Sequence, residues 1–208
     1  MTSEPNVVAA ERRRTAAIAG HRGDLDALRP LVTDPDPTVR ATALGGLLRA
    51  GGLTADDLRA GLADADAGVR RRALELVGAL AGGGPAATVS ILALLEDPDE
   101  TVVEAAAWAC GEREPAEPGA VARLAALATG AGDSLVREAA VAALGAIGDP
   151  AGLPAVLAAT RDKATVRRRA VIALAPFDGP EVDAAYERAL ADRDWQVRQA
   201  AEDLADPT

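Results

Sequence analysis

The sequence predicts an all-α fold, an α-α superhelix of about six helix pairs with a half-repeat at the N-terminus. Three observations lead to this prediction. A short motif, an aspartate followed three or four residues later by a valine, recurs along the whole chain. Each of these valines begins an apolar stripe with helical spacing. Hydrophobic residues make up 49% of the chain but aromatics only 2%, and such small side chains suit packed helices better than sheets.

The recurrence has the period of a stacked-repeat protein. The valines that follow the aspartates are Val39, Val69, Val102, Val136, Val166 and Val197. Successive intervals are therefore 30, 33, 34, 30 and 31 residues. Periods of this size are typical of repeat arrays in which each unit buries its apolar face against its neighbours. We therefore expect a single array over residues 1–208, without a globular domain boundary.

Each repeat reads as a short first helix, a turn and a longer second helix. In the repeat around Val136, apolar residues follow at Ala140, Ala143 and Leu144, which is the spacing of one helical face. A degenerate first copy places Val8 at the position of the recurring valine and lacks a preceding first helix. Second helices are predicted near residues 6–20, 37–50, 67–81, 100–112, 134–147, 164–176 and 195–205.

The recurring polar residues of the motif fit structural roles. An aspartate just before each second helix is a good N-cap, because its carboxylate accepts from free backbone N–H groups. Proline stands in the turns at positions 35, 98 and 150, where a missing N–H donor costs little.

Taken together, the Asp-x-x-x-Val-Arg-x-x-Ala-x-x-Ala-Leu-Gly character of the second helix, clearest in residues 136–148, resembles the HEAT repeat. More specifically it resembles the short bacterial form named after phycocyanobilin-lyase subunits. The resemblance implies an armadillo-like α solenoid and a bacterial protein-binding scaffold. It also implies that the arginine after each valine pairs with a capping aspartate of a neighbouring repeat, and Val103 departs from that pattern. The arginines are Arg40, Arg70, Arg137, Arg167 and Arg198, and the implied partners are Asp36, Asp66, Asp99, Asp133, Asp162 and Asp194.

Charge and composition restrict the class of partner. The formal net charge is −10, which argues against a general nucleic-acid binder because phosphate affinity depends on clustered cations. The single cysteine, Cys110, fits a reducing compartment, and no apolar run has the length of a membrane span. We expect a cytoplasmic protein, a monomer or weak oligomer, with no membrane association.

No catalytic or metal-binding constellation is present in the sequence. The chain has one histidine, His21, and one cysteine, Cys110, so no His–His pair can form, and their separation of 89 positions gives no Cys–His motif. The Asp-x-Asp pairs lack the glycine and final glutamate of a calcium loop, and helix capping explains them. Deoxyhypusine hydroxylases, which are related to this repeat class, bind iron through His-Glu pairs, whereas here Arg22 follows His21. We therefore predict no enzyme activity and no cofactor.

Candidate binding residues are those that the packing motif leaves free. At about 100° per residue, the positions two and six residues after each valine point away from the core. In HEAT-like stacks the second helices line the concave surface, which makes these positions candidates for partner contact. The candidates are Trp108, Arg71, Arg168, Glu75, Glu104 and Glu138.

Two tryptophans have alternative interpretations. Trp108 is either a binding residue, since tryptophan is common at interface hot spots, or a packing residue that fills a gap beside alanines. Trp195 is expected to cover the end of the stack, with an end-to-end contact as the alternative.

The predicted function is a non-catalytic scaffold or adaptor that binds a protein or peptide on its concave face. The alternative is an accessory subunit related to the lyase or oxidoreductase members of the HEAT class. Nucleic-acid binding through the arginine triplets at 12–14, 70–72 and 167–169 is the third possibility.

Overall fold

The computed structural model describes residues 4–205, and side chains are described for residues 7–204. This part of the chain contains twelve α-helices and no strand. The helices are α1 (Glu4–Arg22), α2 (Leu25–Leu28), α3 (Pro37–Arg49), α4 (Ala55–Leu62), α5 (Ala67–Ala79), α6 (Glu100–Gly111), α7 (Ala120–Gly130), α8 (Ser134–Ile147), α9 (Leu153–Ala159), α10 (Ala164–Ala173), α11 (Pro180–Leu190) and α12 (Trp195–Ala205). Short 3-10 helices span Arg29–Thr33, Gly84–Thr88, Leu92–Glu96 and Pro150–Gly152.

The helices form two compact units, with unit 1 ending at Ile91 and unit 2 beginning at Leu92. In unit 1 the second helices α1, α3 and α5 pack side by side, and α2 and α4 form the first-helix layer. In unit 2 the second helices α6, α8, α10 and α12 pack in that order, and the first helices α7, α9 and α11 form the other layer. The single array over residues 1–208 stays a prediction.

The recurring valines are core anchors, as the sequence pattern indicates. Val39, Val69, Val102, Val136, Val166 and Val197 are all at most 3% exposed. Each lies in the first turn of its second helix and packs among the alanines and leucines that follow it at helical spacing. Complete burial of a valine side chain contributes about 1.5–3 kcal/mol, so six repeats of this contact form much of the core.

In most repeats two aspartates precede the valine, and they divide two tasks between them. The second aspartate is the N-cap: Asp36, for example, accepts from the backbone N–H groups of Thr38 and Val39. The first aspartate accepts from an arginine of the preceding repeat, as Asp64 does from Arg40. One carboxylate therefore holds its own helix and the other holds the neighbouring repeat.

These contacts make a continuous ladder from α1 to α5 in unit 1 and from α8 to α12 in unit 2. Nε and a terminal nitrogen of Arg40 donate to the two carboxylate oxygens of Asp64, at 2.8 and 2.7 Å. The backbone carbonyl of Asp64 in turn accepts from Arg70 at 2.9 Å. In unit 1 the ladder runs through Arg12, Asp34, Arg40, Asp64 and Arg70, and in unit 2 through Arg137, Asp162, Arg167, Asp192 and Arg198.

The ladder partners implied by the family resemblance need correction. Asp36, Asp66, Asp133 and Asp194 cap their own helices instead of bonding a neighbouring arginine, and Asp99 caps its own helix too. Asp162 does pair with the arginine expected, Arg137, and α10, which begins at Ala164, has no side-chain cap at its N-cap residue Lys163. An N-capping carboxylate is directed at backbone N–H groups of its own first turn, so the aspartate two residues earlier is the one that faces the preceding repeat.

Hydrogen bonds from the arginines lower the pKa of each ladder aspartate. The direction is the same for Asp34, Asp64, Asp162 and Asp192, whose ordinary value is 3.8. Since a lowered pKa favours the ionised form in the folded state, this contribution to stability is present above pH 3.8 and is lost as the pH falls through the lowered value.

The ladder also shows its own natural exception. Val103 occupies the arginine position of its repeat. Ala131 occupies the aspartate position of the next repeat, since its carbonyl accepts from Arg137 as that of Asp34 does from Arg40. Both charges are thus missing together, because an unpaired arginine or aspartate buried at this position would be costly.

In α1, the residues that occupy the core and ladder positions of the repeat differ from those predicted from the sequence. Val8 is 49% exposed and is not a core anchor, whereas Ala9, Ala16 and Ala19 are buried. Arg12 donates to Asp34 at 2.6 Å, so it occupies the ladder position and Glu11 takes the place of the valine. A copy without the aspartate and valine gives no sequence signal for its register.

Neighbouring second helices approach closely at small residues. A Cβ added to Gly145 of α8 would lie 2.6 Å from Cα of Ala173 in α10. The same relation joins Gly111 to Ala143 at 2.9 Å, and Gly20 to Gly46 at 2.7 Å. The helix spacing in both units therefore depends on the lack of a side chain at this position.

For the ladder, we predict that Arg167→Val lowers the free energy of unfolding by about 2 kcal/mol, because the partly buried carboxylate of Asp192 loses both hydrogen bonds from the guanidinium. The double change Arg167→Val with Asp192→Ala, which imitates Val103 and Ala131, should recover about 1 kcal/mol. Urea unfolding followed by circular dichroism measures both values.

The matched control is Arg169→Val, an exposed neighbour without a ladder partner, which should cost less than about 0.5 kcal/mol. The difference between wild type and double variant should shrink as the pH falls below 3.8. A double variant less stable than Arg167→Val would contradict this account of the ladder.

For the helix contact, we predict that Gly145→Ala destabilises unit 2 by about 1–3 kcal/mol through overpacking, although alanine favours helices by about 1 kcal/mol. Gly130→Ala is the control, since a Cβ there meets nothing within 4 Å. Thermal unfolding should show a lower Tm for Gly145→Ala and an unchanged or higher Tm for Gly130→Ala; equal effects would refute the contact.

Candidate binding surface

The exposed side of α6, α8, α10 and α12, called here the second-helix face of unit 2, carries most of the exposed large apolar residues of that unit. Four of the five exposed large hydrophobics described in unit 2 belong to these helices, and Leu190 of α11 is the fifth. The four are Trp108, Leu135, Ile172 and Trp195. Exposed apolar residues that share one face mark interaction sites more often than isolated ones do.

Trp108 lies on α6 with 42% of its surface exposed. The two residues before it, Ala106 and Ala107, are fully buried and form the core side of the helix. The indole therefore lies at the surface with more than half of its area covered, and its role in packing over the neighbouring alanines stays a prediction. Its role in binding stays a prediction.

A pocket of about 440 Å³ opens between α10 and α12 on this face. Its apolar walls come from Ile172, Trp195 and Leu204, and its polar groups come from Arg168, Gln199 and Asp203. Trp195 is 64% exposed and lines this open pocket, and its role as a cover for the end of the stack stays a prediction. Sequence reasoning did not find this pocket, although Ile172 and Trp195 were both visible as large residues at non-core positions.

Arg168 differs from the arginine at the same position of unit 1. Arg71 of α5 lies 3.9 Å from Glu75, four residues further along the same helix. In α10 the fourth residue after Arg168 is Ile172, so this pair cannot form. Arg168 is exposed and makes no ion pair with any residue that the structure describes. Its guanidinium is free to meet a partner.

The other charged candidates are placed less openly. Glu104 of α6 and Glu138 of α8 occupy the register of Arg168 and are half-buried. In unit 1, Glu75 accepts from Arg72 at 2.7 Å and so is already engaged within its own helix. Arg72 in turn lies across Gly45, where a Cβ would meet its guanidinium at 2.5 Å. Of the six candidate residues, only Trp108, Glu104, Glu138 and Arg168 belong to unit 2.

The single cysteine and the single histidine belong to different units. Cys110 is fully buried in α6, and desolvation raises the pKa of its thiol to about 12. His21 is exposed near the end of α1 in unit 1. Within residues 4–205, no three His, Cys, Asp or Glu side chains are grouped as metal ligands. No helix in this part of the chain is long and apolar enough to cross a membrane.

Comparison with known proteins identifies the family. The family model of HEAT repeats matches residues 55–144, 89–175 and 128–205, which together span most of the chain. The chain belongs to the HEAT-repeat family. This result confirms the all-α repeat fold and the HEAT resemblance, while the short bacterial phycocyanobilin-lyase type stays a prediction. A search of curated proteins finds none that matches this HEAT-repeat chain.

Solved structures show the same fold at low sequence identity. An engineered protein is 22% identical, with a TM-score of 0.66, and covers 87% of this chain and 96% of its own. A designed armadillo repeat protein in complex with the peptide (KR)4 is 20% identical, with a TM-score of 0.60 and coverage of 94% and 97%. YibA of Escherichia coli is 18% identical, with a TM-score of 0.60 and coverage of 97% and 74%. At these identities the comparison concerns the fold of the HEAT repeats alone.

For Cys110, we predict negligible reaction with a thiol reagent such as DTNB at neutral pH in the folded protein, because the thiol is fully buried and its pKa is raised. Full reaction of one thiol should appear only in denaturant. Complete labelling of the native protein within minutes would contradict the buried position.

Proposed function

We propose that this protein is a non-catalytic scaffold or adaptor that binds a protein segment or peptide on the second-helix face of unit 2. The observation that supports it most directly is the exposed apolar set Trp108, Ile172 and Trp195 on helices of one layer, together with the pocket between α10 and α12. Burial of such side chains by a partner supplies the main driving force for association.

The repeat fold supports this proposal in a second way. HEAT and armadillo repeats form interaction scaffolds, and the designed armadillo protein cited above was solved with a bound peptide. The motif residues of the present chain are used for capping, core packing and the ladder. Residues of the exposed face have no such task, and so they are available for a partner. Arg71 and Glu75 of unit 1, which lie on α5, are proposed as a further contact region.

The test is selection of peptides from a random displayed library against the full chain, followed by affinity measurements with purified peptides. We predict that Trp108→Ala and Trp195→Ala each weaken binding by more than tenfold, as loss of a hot-spot tryptophan does, which corresponds to about 1.4 kcal/mol or more. Because Trp195 is mostly exposed, its replacement should change the free energy of unfolding by less than about 0.5 kcal/mol.

Leu190→Ala is the matched control. The exposed fraction of Leu190, 43%, is similar to that of Trp108, but Leu190 lies on the first helix α11. Its replacement should leave peptide affinity unchanged. A library that yields no binding peptide, or peptides whose affinity is unaffected by both tryptophan changes, would refute the proposed function.

A further inference from the structure

Arg168 lines the pocket between α10 and α12 and is not paired with a carboxylate of the described residues. At the equivalent place in unit 1, Arg71 has Glu75 one turn further along α5, at 3.9 Å. In α10 that turn carries Ile172, which is 38% exposed and lines the pocket. The neighbouring Arg167 is fully engaged by Asp192 at 2.7 Å, so Asp192 is not available to Arg168. A cation and an apolar wall therefore adjoin each other, and both are open to a partner.

We propose that the pocket between α10 and α12 binds a peptide segment in which an Asp or Glu side chain adjoins a large aliphatic or aromatic residue. The carboxylate pairs with the Arg168 guanidinium, and the apolar side chain enters the pocket against Ile172 and Trp195. This inference rests on the proposed function and specifies the chemistry of its partner.

The size and walls of the pocket fit this occupant. Its volume of about 440 Å³ lies within the range of about 300–1,000 Å³ that ligand pockets cover. Ile172, Leu204 and the indole of Trp195 provide apolar surface on both helices. An aliphatic or aromatic side chain that enters the pocket is removed from water and contacts all three residues. This burial of apolar surface favours binding.

The charges around the pocket set the direction of the partner. Guanidinium groups bind carboxylates through two parallel hydrogen bonds, which gives Arg168 a geometric preference for Asp and Glu. Asp203 is the acidic group that lines the pocket, and its Oδ1 already accepts from Nε2 of Gln199 at 2.7 Å. An acidic side chain is thus attracted towards Arg168 and repelled near Asp203. The partner should carry its acid on one side of the apolar residue only.

The acidic net charge of the chain does not oppose this preference at close range. At physiological ionic strength the Debye length is about 8 Å, so charges further away are largely screened. Arg168 is exposed near the start of α10 and lines the pocket, so its charge acts on a bound carboxylate at close range. The net charge of −10 instead lowers the association rate of acidic segments through weak long-range repulsion.

The test uses the same random library with the full chain, and the selected peptides are sequenced to determine which residues are enriched. We expect selected peptides to carry Asp or Glu on a fixed side of Leu, Ile, Met or Phe. A selected peptide with blocked termini should bind about tenfold more weakly when its acid is replaced by the matching amide. Anisotropy of the fluorescein-labelled peptide gives these affinities.

Charge exchange identifies the arginine. Arg168→Glu should abolish binding of the acidic peptide. A peptide with Lys in place of the acid should bind Arg168→Glu about tenfold more tightly than it binds the wild-type protein. Arg169→Glu makes the same change of charge one residue away, outside the pocket, and should alter the affinity of the acidic peptide less than threefold.

The outcomes separate this inference from the proposed function. Selected peptides that depend on Trp195 but show no acidic residue, or that carry Lys or Arg in its place, would overturn the assignment to Arg168 while leaving a peptide-binding face. Equal effects of Arg168→Glu and Arg169→Glu would overturn it as well. Failure to select any peptide would overturn both.

Discussion

The contact on which each unit depends is the arginine–aspartate ladder between consecutive repeats. The rungs of Arg40, Arg137 and Arg167 each join a guanidinium to both carboxylate oxygens of the next repeat and to a backbone carbonyl of its own turn. A bond with this planar geometry is lost when the repeats slip past each other. Apolar packing of alanine and valine alone would tolerate such a slip more easily, because it is not directional. The ladder therefore fixes the register in which the second helices stack.

Once the register is fixed, the exposed side of the second helices becomes a surface with a defined order of side chains. Close approach at Gly111 and Gly145 brings α6, α8 and α10 together, so their outward positions form one face. On that face the residues change from repeat to repeat, whereas the motif residues do not. Arg168 and Ile172 stand where α5 has Arg71 and Glu75, and this exchange converts an internal ion pair into an open pair of cation and apolar wall. Specificity in a repeat protein can arise in this way without a change of scaffold.

Most of the fold could be predicted from the sequence, because period, apolar spacing and capping residues all indicate the same helices. The ladder partners could not. Asp34 and Asp36 are two residues apart and chemically identical, and only the backbone of the turn decides which one caps the helix and which one meets an arginine. The predicted register of α1 is wrong because this helix lacks the motif. Val8 is only the apolar residue that lies nearest to the expected place of the core valine. The pocket beside Trp195 was missed because it requires side chains from two helices at once.

The central claim is that the motif builds the scaffold and that the residues it leaves free bind the partner. A mutational scan of the displayed protein tests it directly, with protease resistance as the readout of folding and capture of a selected peptide as the readout of binding. Two separate sets of positions are expected. Variants at the valines, the ladder residues and the close-contact glycines lose protease resistance and binding together. Changes at Trp108, Arg168, Ile172 and Trp195 lose binding alone. Binding losses in folded variants that fall mainly outside the second-helix face of unit 2 would contradict it.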